Sequence, residues 1–329
     1  MMFVFLWLLL HGVLAAAGTW LARRYALRRQ LLDQPGERRS HSVATPRGGG
    51  VAIVFVMVLS MAWLAAVWPT QRVLLGCLAA GLSLVAGIGW LDDHRPLSPW
   101  PRLMVHGVAS VLLGWGIYQV TNSLVFSIQT FVMAMLLTNV WNFMDGIDGL
   151  AASQAAIVAL ALTAALGGAW TLLAMGLVAA VAGFLPFNFP KARIFLGDVG
   201  SGALGFLLAG LLSVALFQAP VAWPLLWLPV AAFLVDAVFT LSMRILRHEK
   251  WWTAHVQHTY QRWASRDGGH VRVTLAYAGF SLLGVLVIQL GIVWTQAEAG
   301  WICLLWYLAA MLLWARMRRD VSINKDARQ

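Results

Sequence analysis

Charge is scarce in this chain. Asp, Glu, Lys and Arg make up 11% of its 329 residues, less than half of the roughly 25% usual for a soluble domain. No segment is polar enough over its length to clothe a soluble globule. Cysteine is nearly missing. Cys77 and Cys303 both fall inside apolar runs, so neither a disulfide framework nor a thiolate metal site is expected. Acids number 13 against 23 Lys and Arg, for a net charge of +10. Such an excess can mark a nucleic-acid surface, but here the basic residues flank apolar runs. Anionic lipid headgroups account for them better, and no nucleic-acid partner is expected. No internal repeat is visible.

Apolar length is what the chain has instead. Hydrophobic residues make up 60% of it, in runs long enough to cross a bilayer as helices. They predict an all-α, polytopic integral membrane protein of about eleven transmembrane helices. The runs cover 2–22, 49–68, 73–91, 102–120, 127–144, 150–167, 170–187, 200–217, 223–243, 273–294 and 299–315. Alternating them through a membrane puts every Lys and Arg except Arg72 on one side. Positive charge marks the cytoplasm, so the N-terminus is expected in the periplasm and the C-terminus in the cytoplasm. The acids follow, apart from Asp236 inside a run and Glu298 outside.

Residues 1–315 read as one transmembrane domain, and 316–329 as a cytoplasmic basic tail that frays. The first run could pass for a signal peptide with Ala15-Ala16-Ala17 at its cleavage region. No basic residue precedes it and Arg23-Arg24 follow it, so it reads as a retained span. Trp20, Trp68, Trp90, Trp141, Trp223, Trp301 and Trp314 lie near run ends and read as interfacial belts.

The acids gather at the ends of apolar helices on the cytoplasmic side, in the loops 92–101, 145–149, 188–199 and 244–272 and in 23–48. Asp92-Asp93 closes Gly89-Trp90-Leu91-Asp92-Asp93. Two adjacent carboxylates at a helix C-terminus oppose the helix dipole and each other. Solvated loop acids are the plain alternative. The next cluster weighs against it: Asp145-Gly146-Ile147-Asp148-Gly149, with Asn139 and Asn142 a turn below on one face. One Asp-Gly step satisfies a tight turn. Two of them, beside two amides, exceed that need and supply oxygen ligands with close backbone approach.

Asp198, in Gly197-Asp198-Val199-Gly200-Ser201, stands at a helix start. An N-cap would account for it alone. A glycine-flanked helix N-terminus is also a phosphate site to which an Asp brings a hard divalent cation. In His255-Val256-Gln257-His258-Thr259-Tyr260-Gln261 the two histidines lack the further ligands zinc requires. With Arg262 and Arg266 they read as donors to phosphate or sugar oxygens. Upstream, Arg38-Arg39-Ser40-His41 and Pro46-Arg47-Gly48-Gly49-Gly50 make a basic, glycine-rich lead into the second run.

In this order the motifs resemble the polyprenyl-phosphate N-acetylhexosamine-1-phosphate transferases of glycosyltransferase family 4 type. These start O-antigen, enterobacterial common antigen, teichoic acid and peptidoglycan lipid intermediates. The match runs collinearly from Asp33-Gln34-Pro35 to Gln261. The resemblance implies a bacterial inner-membrane enzyme that transfers a sugar-1-phosphate from a UDP-N-acetylhexosamine to undecaprenyl phosphate and releases UMP. A homodimer stays open.

The resemblance also implies roles. Asp198 is the Mg²⁺ ligand, with Mn²⁺ as the alternative metal. Asp92 and Asp93 lie beside the lipid phosphate, and His255 and His258 face the diphosphate; these five are the catalytic candidates. Asp145 and Asp148 line the nucleotide pocket, Phe195 stacks on uracil and Asn188 lies near the nucleotide. Arg47, Asn142, Tyr260 and Arg262 complete the substrate-binding set. Where the enterobacterial-type branch reads Asp-Arg-x-His-x-His-His, this chain has Thr253-Ala254-His255-Val256-Gln257-His258. That form is more similar to the branch using N-acetylated 6-deoxyhexosamines of fucosamine or quinovosamine type. Plain N-acetylglucosamine is the alternative within the family, and an apolar wall at Trp251 or Trp252 would suit a 6-methyl group.

A transporter is the competing class. It would hold ionisable residues near the bilayer midplane, in broken helices of repeated halves. Only Asp236, His11 and His106 sit at such depth, so the transferase is favoured. Its expected reaction is a single displacement, with Asp92 orienting the nucleophile.

Overall fold

The computed structural model describes residues 1–34, 43–218, 222–250, 252–253, 255–290 and 295–326. Pro35, the Arg38–His41 stretch, Trp251 and Ala254 lie outside the described residues. Twelve α-helices account for nearly all of what is described: α1 Met2–Arg28, α2 Val51–Val67, α3 Arg72–His94, α4 Pro99–Thr121, α5 Leu124–Phe143, α6 Leu150–Leu162, α7 Ala169–Asn188, α8 Asp198–Gln218, α9 Ala231–Leu246, α10 Thr259–Trp263, α11 Gly269–Leu290 and α12 Gln296–Asp326. Every one of the eleven predicted apolar runs overlaps a helix. Among the described residues, eight helices are long and apolar enough to cross a membrane. The helices of α2, α6 and α9 are shorter, at 17, 13 and 16 residues.

The differences from expectation have local causes. The ninth run, 223–243, is broken: a 3₁₀ turn at Trp223–Trp227 precedes α9, because Pro229 lacks the N–H a continuous helix needs. Two two-residue strands, β1 Leu32–Asp33 and β2 Thr45–Pro46, pair antiparallel and close the base of the connection between α1 and α2. The 244–272 segment folds into a cap containing α10, and α11 starts at Gly269 instead of 273. α12 runs on to Asp326, so most of the expected frayed tail is helical. Trp141 is fully buried and donates to the Ala151 carbonyl, and Trp314 is buried against Asp236. Neither is an interfacial belt residue, whereas Trp20, Trp90, Trp223 and Trp301 are exposed as expected.

α8 is the hub, with buried side chains over nearly its whole length. Exposed leucines, valines and phenylalanines cover the outer faces of α1, α4 and α12, as lipid contact requires. Water-driven burial does not press helices together inside lipid, so close approach depends on small residues. At Gly205 of α8, a Cβ would stand 2.1 Å from the Leu137 carbonyl oxygen of α5. At Gly89 of α3, it would stand 2.3 Å from the carbonyl oxygen of Asp198. α3, α5 and α8 therefore meet backbone to backbone, and the ends gathered at one side of this junction are the ones that bear Asp92, Asn142 and Asp198.

Gly205→Ala is expected to part α5 from α8, since a backbone carbonyl cannot yield cheaply, and to cost about 1–3 kcal/mol. Gly279→Ala on α11, where a Cβ meets nothing within 4 Å, is the control. Thermal denaturation in detergent should show a lowered midpoint for the first and none for the second.

Candidate active site

The site begins with an electrostatic problem. α8 points its N-terminal N–H groups, and their partial positive charge, at a junction sealed by α3. Asp93, buried in the last turn of α3, answers it: its Oδ1 accepts from the Asp198 N–H and its Oδ2 from the Val199 N–H, both at 3.1 Å. The cap thus comes from a neighbouring helix. It frees the Asp198 side chain, which an ordinary N-cap would have engaged. Arg47 donates to the Asp93 carbonyl and places its Nε 3.8 Å from Asp93 Oδ1.

The glycines around Arg47 serve the same junction. Phe195 N–H donates to Pro46 O, Gly49 N–H to Phe195 O and Gly50 N–H to Leu196 O. The two helix leads are zipped together. A Cβ on Gly50 would lie 2.3 Å from Gly200 Cα, and Gly197 holds φ +76° beside Asp93. The glycine run meets protein backbone at this crossing.

Asp92 and Asp198 are joined through Arg102, which in the sequence is one of the positive-inside charges. Arg102 Nη1 donates to Asp92 Oδ2 at 2.7 Å and lies 3.5 Å from Asp198 Oδ2. Its Nη2 donates to Asn142 Oδ1 at 2.9 Å. Asn142 Nδ2 donates to Asp198 Oδ1 at 2.6 Å and to Ser201 Oγ at 3.0 Å. The second Asp92 oxygen accepts the Leu97 N–H at 2.6 Å. Asp92, Asp93, Asp198, Asn142 and Arg47, predicted from four separate motifs, therefore form one cluster, with Arg102 at its centre.

Asp145 lies beside this cluster. Its carboxyl is pushed well above the usual carboxylate range by desolvation and then by the charges of Asp198 and Asp93. Too many carboxylates face too few cations here. That donor set fits Mg²⁺, which is commonly held by one or two carboxylates plus substrate phosphates and water. No group of three or more ligating side chains is present among the described residues, so the fit is to such a sparse site. Asp198 and Asp145 are the residues that would hold the ion.

The remaining candidates sit around this centre. Asp148 Oδ2 lies 3.1 Å from His270 Nδ1, and its carbonyl accepts from Thr274 Oγ1 at 2.8 Å. Asn188 is buried: its Oδ1 accepts from the Gly149 N–H and its Nδ2 donates to the Ile194 carbonyl, each at 3.0 Å. It ties the Asp145–Gly149 turn to the Phe195 segment. Tyr260 is also fully buried, and its Oη donates to the Phe143 carbonyl at 2.9 Å against Gly146. Tyr260 and Asn188, predicted to bind substrate, act here as struts. Phe195 and Arg262 are half-buried beside them.

A second acid caps the start of α10. Asp236, buried in α9, accepts from the N–H groups of Thr259 and Tyr260 at 2.9 and 3.0 Å, and from Tyr277 Oη at 2.8 Å and Trp314 Nε1 at 3.2 Å. This holds α10 and the histidine segment down on the α5 end. His258 is buried between Phe143 and Tyr260, with ring centroids 6.2 and 5.8 Å away, and its Nδ1 is 3.8 Å from Asp236 Oδ1. His255 is half-buried and its pKa is lowered to about 4, by desolvation first and then by His258 and Arg244. It is therefore neutral at physiological pH. The roles of Arg102, Asp236 and His270 rest on tertiary partners, and only Asp236, a charge isolated within an apolar run, carries a signal in the sequence.

Residues 74–216 match glycosyl transferase family 4, a stretch that takes in the Asp92, Asn142 and Asp198 cluster. The chain is 29% identical to the probable undecaprenyl-phosphate N-acetylglucosaminyl 1-phosphate transferase of Bacillus subtilis, over 83% of this chain and 77% of that protein. It is 31% identical to the decaprenyl-phosphate N-acetylglucosaminephosphotransferase of Mycolicibacterium smegmatis, over 73% and 70%. It is 30% identical to the phospho-N-acetylmuramoyl-pentapeptide-transferase of Streptococcus thermophilus, over 74% and 81%. Each relative is named as a transferase of a phosphorylated sugar, and a multi-pass membrane scaffold carries the matching motifs here. The chain belongs to glycosyl transferase family 4 and is a phospho-sugar transferase.

Proposed function

We propose that this enzyme transfers a sugar-1-phosphate from a UDP-N-acetylhexosamine to undecaprenyl phosphate at the cytoplasmic face of a bacterial inner membrane. It would thereby start a lipid-linked O-antigen or another surface glycan. The carrying observation is the single cluster built by Asp92, Arg102, Asn142 and Asp198 at the ends of four apolar helices. A membrane-bound headgroup and a water-soluble nucleotide can meet at such a junction. Alternating crossings from a periplasmic N-terminus would put the cluster in the cytosol, where nucleotide sugars are. The charge asymmetry of the loops supports that orientation.

An oxygen of the lipid phosphate attacks the phosphorus that bears the sugar, and the bond to the UMP oxygen breaks. A phosphate monoester has a second pKa near 6, so the nucleophile is already mostly dianionic at neutral pH. Both Asp92 oxygens are occupied, by the Leu97 N–H and by Arg102, which favours an orienting over a proton-abstracting role. Mg²⁺, when bound, supplies charge neutralisation where the two anions meet. Asp198 and Asp145 would hold it, Arg102 and Arg47 hold the surrounding acids in register, and His255 faces the diphosphate as a neutral donor. Fixing both reactants in one place supplies the proximity part of the rate.

The sugar is proposed to be an N-acetylated 6-deoxyhexosamine, from the form of the 253–258 segment. The names of the Bacillus and Mycolicibacterium relatives favour N-acetylglucosamine as the second reading. Purified enzyme, undecaprenyl phosphate and a panel of UDP-sugars decide between them. UMP release with a UDP-6-deoxy-N-acetylhexosamine at about tenfold or more over UDP-N-acetylglucosamine is expected, on the scale an apolar pocket can discriminate. The reverse ratio selects the second reading, and no UMP release with any UDP-sugar overturns the proposal.

Asp198→Asn is expected to lower turnover by on the order of 100-fold or more, the scale of a lost electrostatic element in a transfer site. Membrane insertion and the thermal midpoint should change little. Asp92→Asn separates orientation from proton abstraction. If Asp92 orients, the deficit measured in kcat stays constant between pH 7 and 9; a deficit that vanishes as pH rises requires a base.

A further inference from the structure

The segment between α9 and α10 has almost no regular structure, yet it is bound around one buried cation. Arg244, in the last turn of α9, is 4% exposed. Its Nε donates to Glu249 Oε2 at 3.0 Å, Nη1 to the Thr253 carbonyl at 3.0 Å, and Nη2 to the Lys250 carbonyl at 2.9 Å and Thr253 Oγ1 at 3.2 Å. The fork of the guanidinium thus gathers Glu249, Lys250 and Thr253 around the end of α9. The same Glu249 oxygen accepts from Gln257 Nε2 at 2.8 Å. The backbone N–H of Gln257 donates to His255 Nδ1 at 3.3 Å. A chain of bonds therefore leads from Arg244 through Glu249 and Gln257 to one nitrogen of His255.

That last bond has a chemical consequence. A neutral imidazole carries one proton, and a nitrogen that accepts a hydrogen bond cannot carry it. With Nδ1 accepting, the proton is on Nε2, which has no partner among the described residues. We infer that Glu249 and Gln257 are positioning residues for His255: they fix its ring as the Nε2–H tautomer and aim a neutral donor at the phosphate-bearing substrate. This rests on the proposed transfer reaction for the identity of the ligand, but the tautomer does not. Neither residue touches reacting atoms. A donor held in one tautomer and one orientation loses no freedom as charge develops opposite it.

Two measurements test this. In enzyme labelled with ¹⁵N-histidine, the His255 resonances, identified by their loss in His255→Asn, should show the Nε2–H pattern in the wild type. In Gln257→Ala they should move toward the average of the two tautomers. An Nδ1–H pattern in the wild type, or no change in Gln257→Ala, overturns the assignment. This arm needs no turnover, so it stands apart from the proposed reaction. If the wild type transfers no sugar phosphate, that reading fails while the tautomer still decides the clamp.

The kinetic arm uses an exchange of partners. Gln257→Glu sets a second carboxylate against Glu249 and should lower kcat/KM by about tenfold or more, since hydrogen bonds to charged groups are the strong ones. The double variant Glu249→Gln with Gln257→Glu restores a donor opposite an acceptor and leaves Arg244 an amide oxygen. It should recover most of the activity. If the double variant is as impaired as the two single changes multiplied, the residues act independently and the positioning role is wrong.

Discussion

The arrangement depends on acids that cap helices from outside. A helix N-terminus sealed within protein leaves N–H groups that must find acceptors. Here two such ends are met by carboxylates from other helices: Asp93 of α3 serves α8, and Asp236 of α9 serves α10. Each bond fixes a direction as well as an energy. Asp93 sets the height of α8 against α3, which brings Asp198 level with Asp92 and Asn142. Asp236 sets the cap against α5 and α11. Removing either acid would leave a desolvated helix end without acceptors, a loss of about 1–3 kcal/mol for each unsatisfied group.

These caps are useful only because the helices come close enough to share them. Gly89, Gly205 and the Gly50–Gly200 crossing remove the side chains that would hold α2, α3, α5 and α8 apart. Lipid supplies little force to bring helices together, so small residues and interhelical hydrogen bonds supply it. The glycines of the Pro46–Gly50 and Gly197–Gly202 motifs thus act first on backbone distance. A site of carboxylates, one amide and two arginines then assembles at the end of the tightest bundle, where its geometry has least freedom to relax.

Much of this was legible in the sequence, for a physical reason. Membrane helices announce themselves by length, and a polar residue at the end of an apolar run has few reasons to be there. The helices and the acids of the cluster could therefore be read locally. What could not be read locally was partnership. Asn188 and Tyr260 have the chemistry of ligand contacts, yet the structure uses them to brace the turn that bears Asp145 and Asp148. Arg102 looked like one more cytoplasmic arginine until α4 placed it between Asp92 and Asp198. Asp236 was conspicuous as an acid inside a span, but nothing in its neighbourhood along the chain names Thr259, Tyr260, Tyr277 and Trp314 as its partners. Pro229, just before α9, shows the converse case, in which one residue type predicts the break that the apolar run conceals.

The same division applies to selectivity. The cluster of Asp92, Asp198 and Asn142 offers hard oxygens and fixed charge, which suit features common to every nucleoside diphosphate sugar. Such groups cannot tell a methyl from a hydroxymethyl on a sugar ring. Discrimination requires contact with the sugar itself, and the cap between α9 and α11 is the element that both leans on the cluster, through Tyr260 and Phe143, and is free of its charge requirements. Its framework is set by Arg244 and Asp236, both buried and both hydrogen-bonded to the cap. The side chains hung on that framework, such as the exposed Trp252, can therefore change without disturbing the acids beneath. In the proposed reaction, a bundle that fixes the chemistry and a pinned cap whose exposed side chains are free to vary would allow the sugar to change while the reaction is kept.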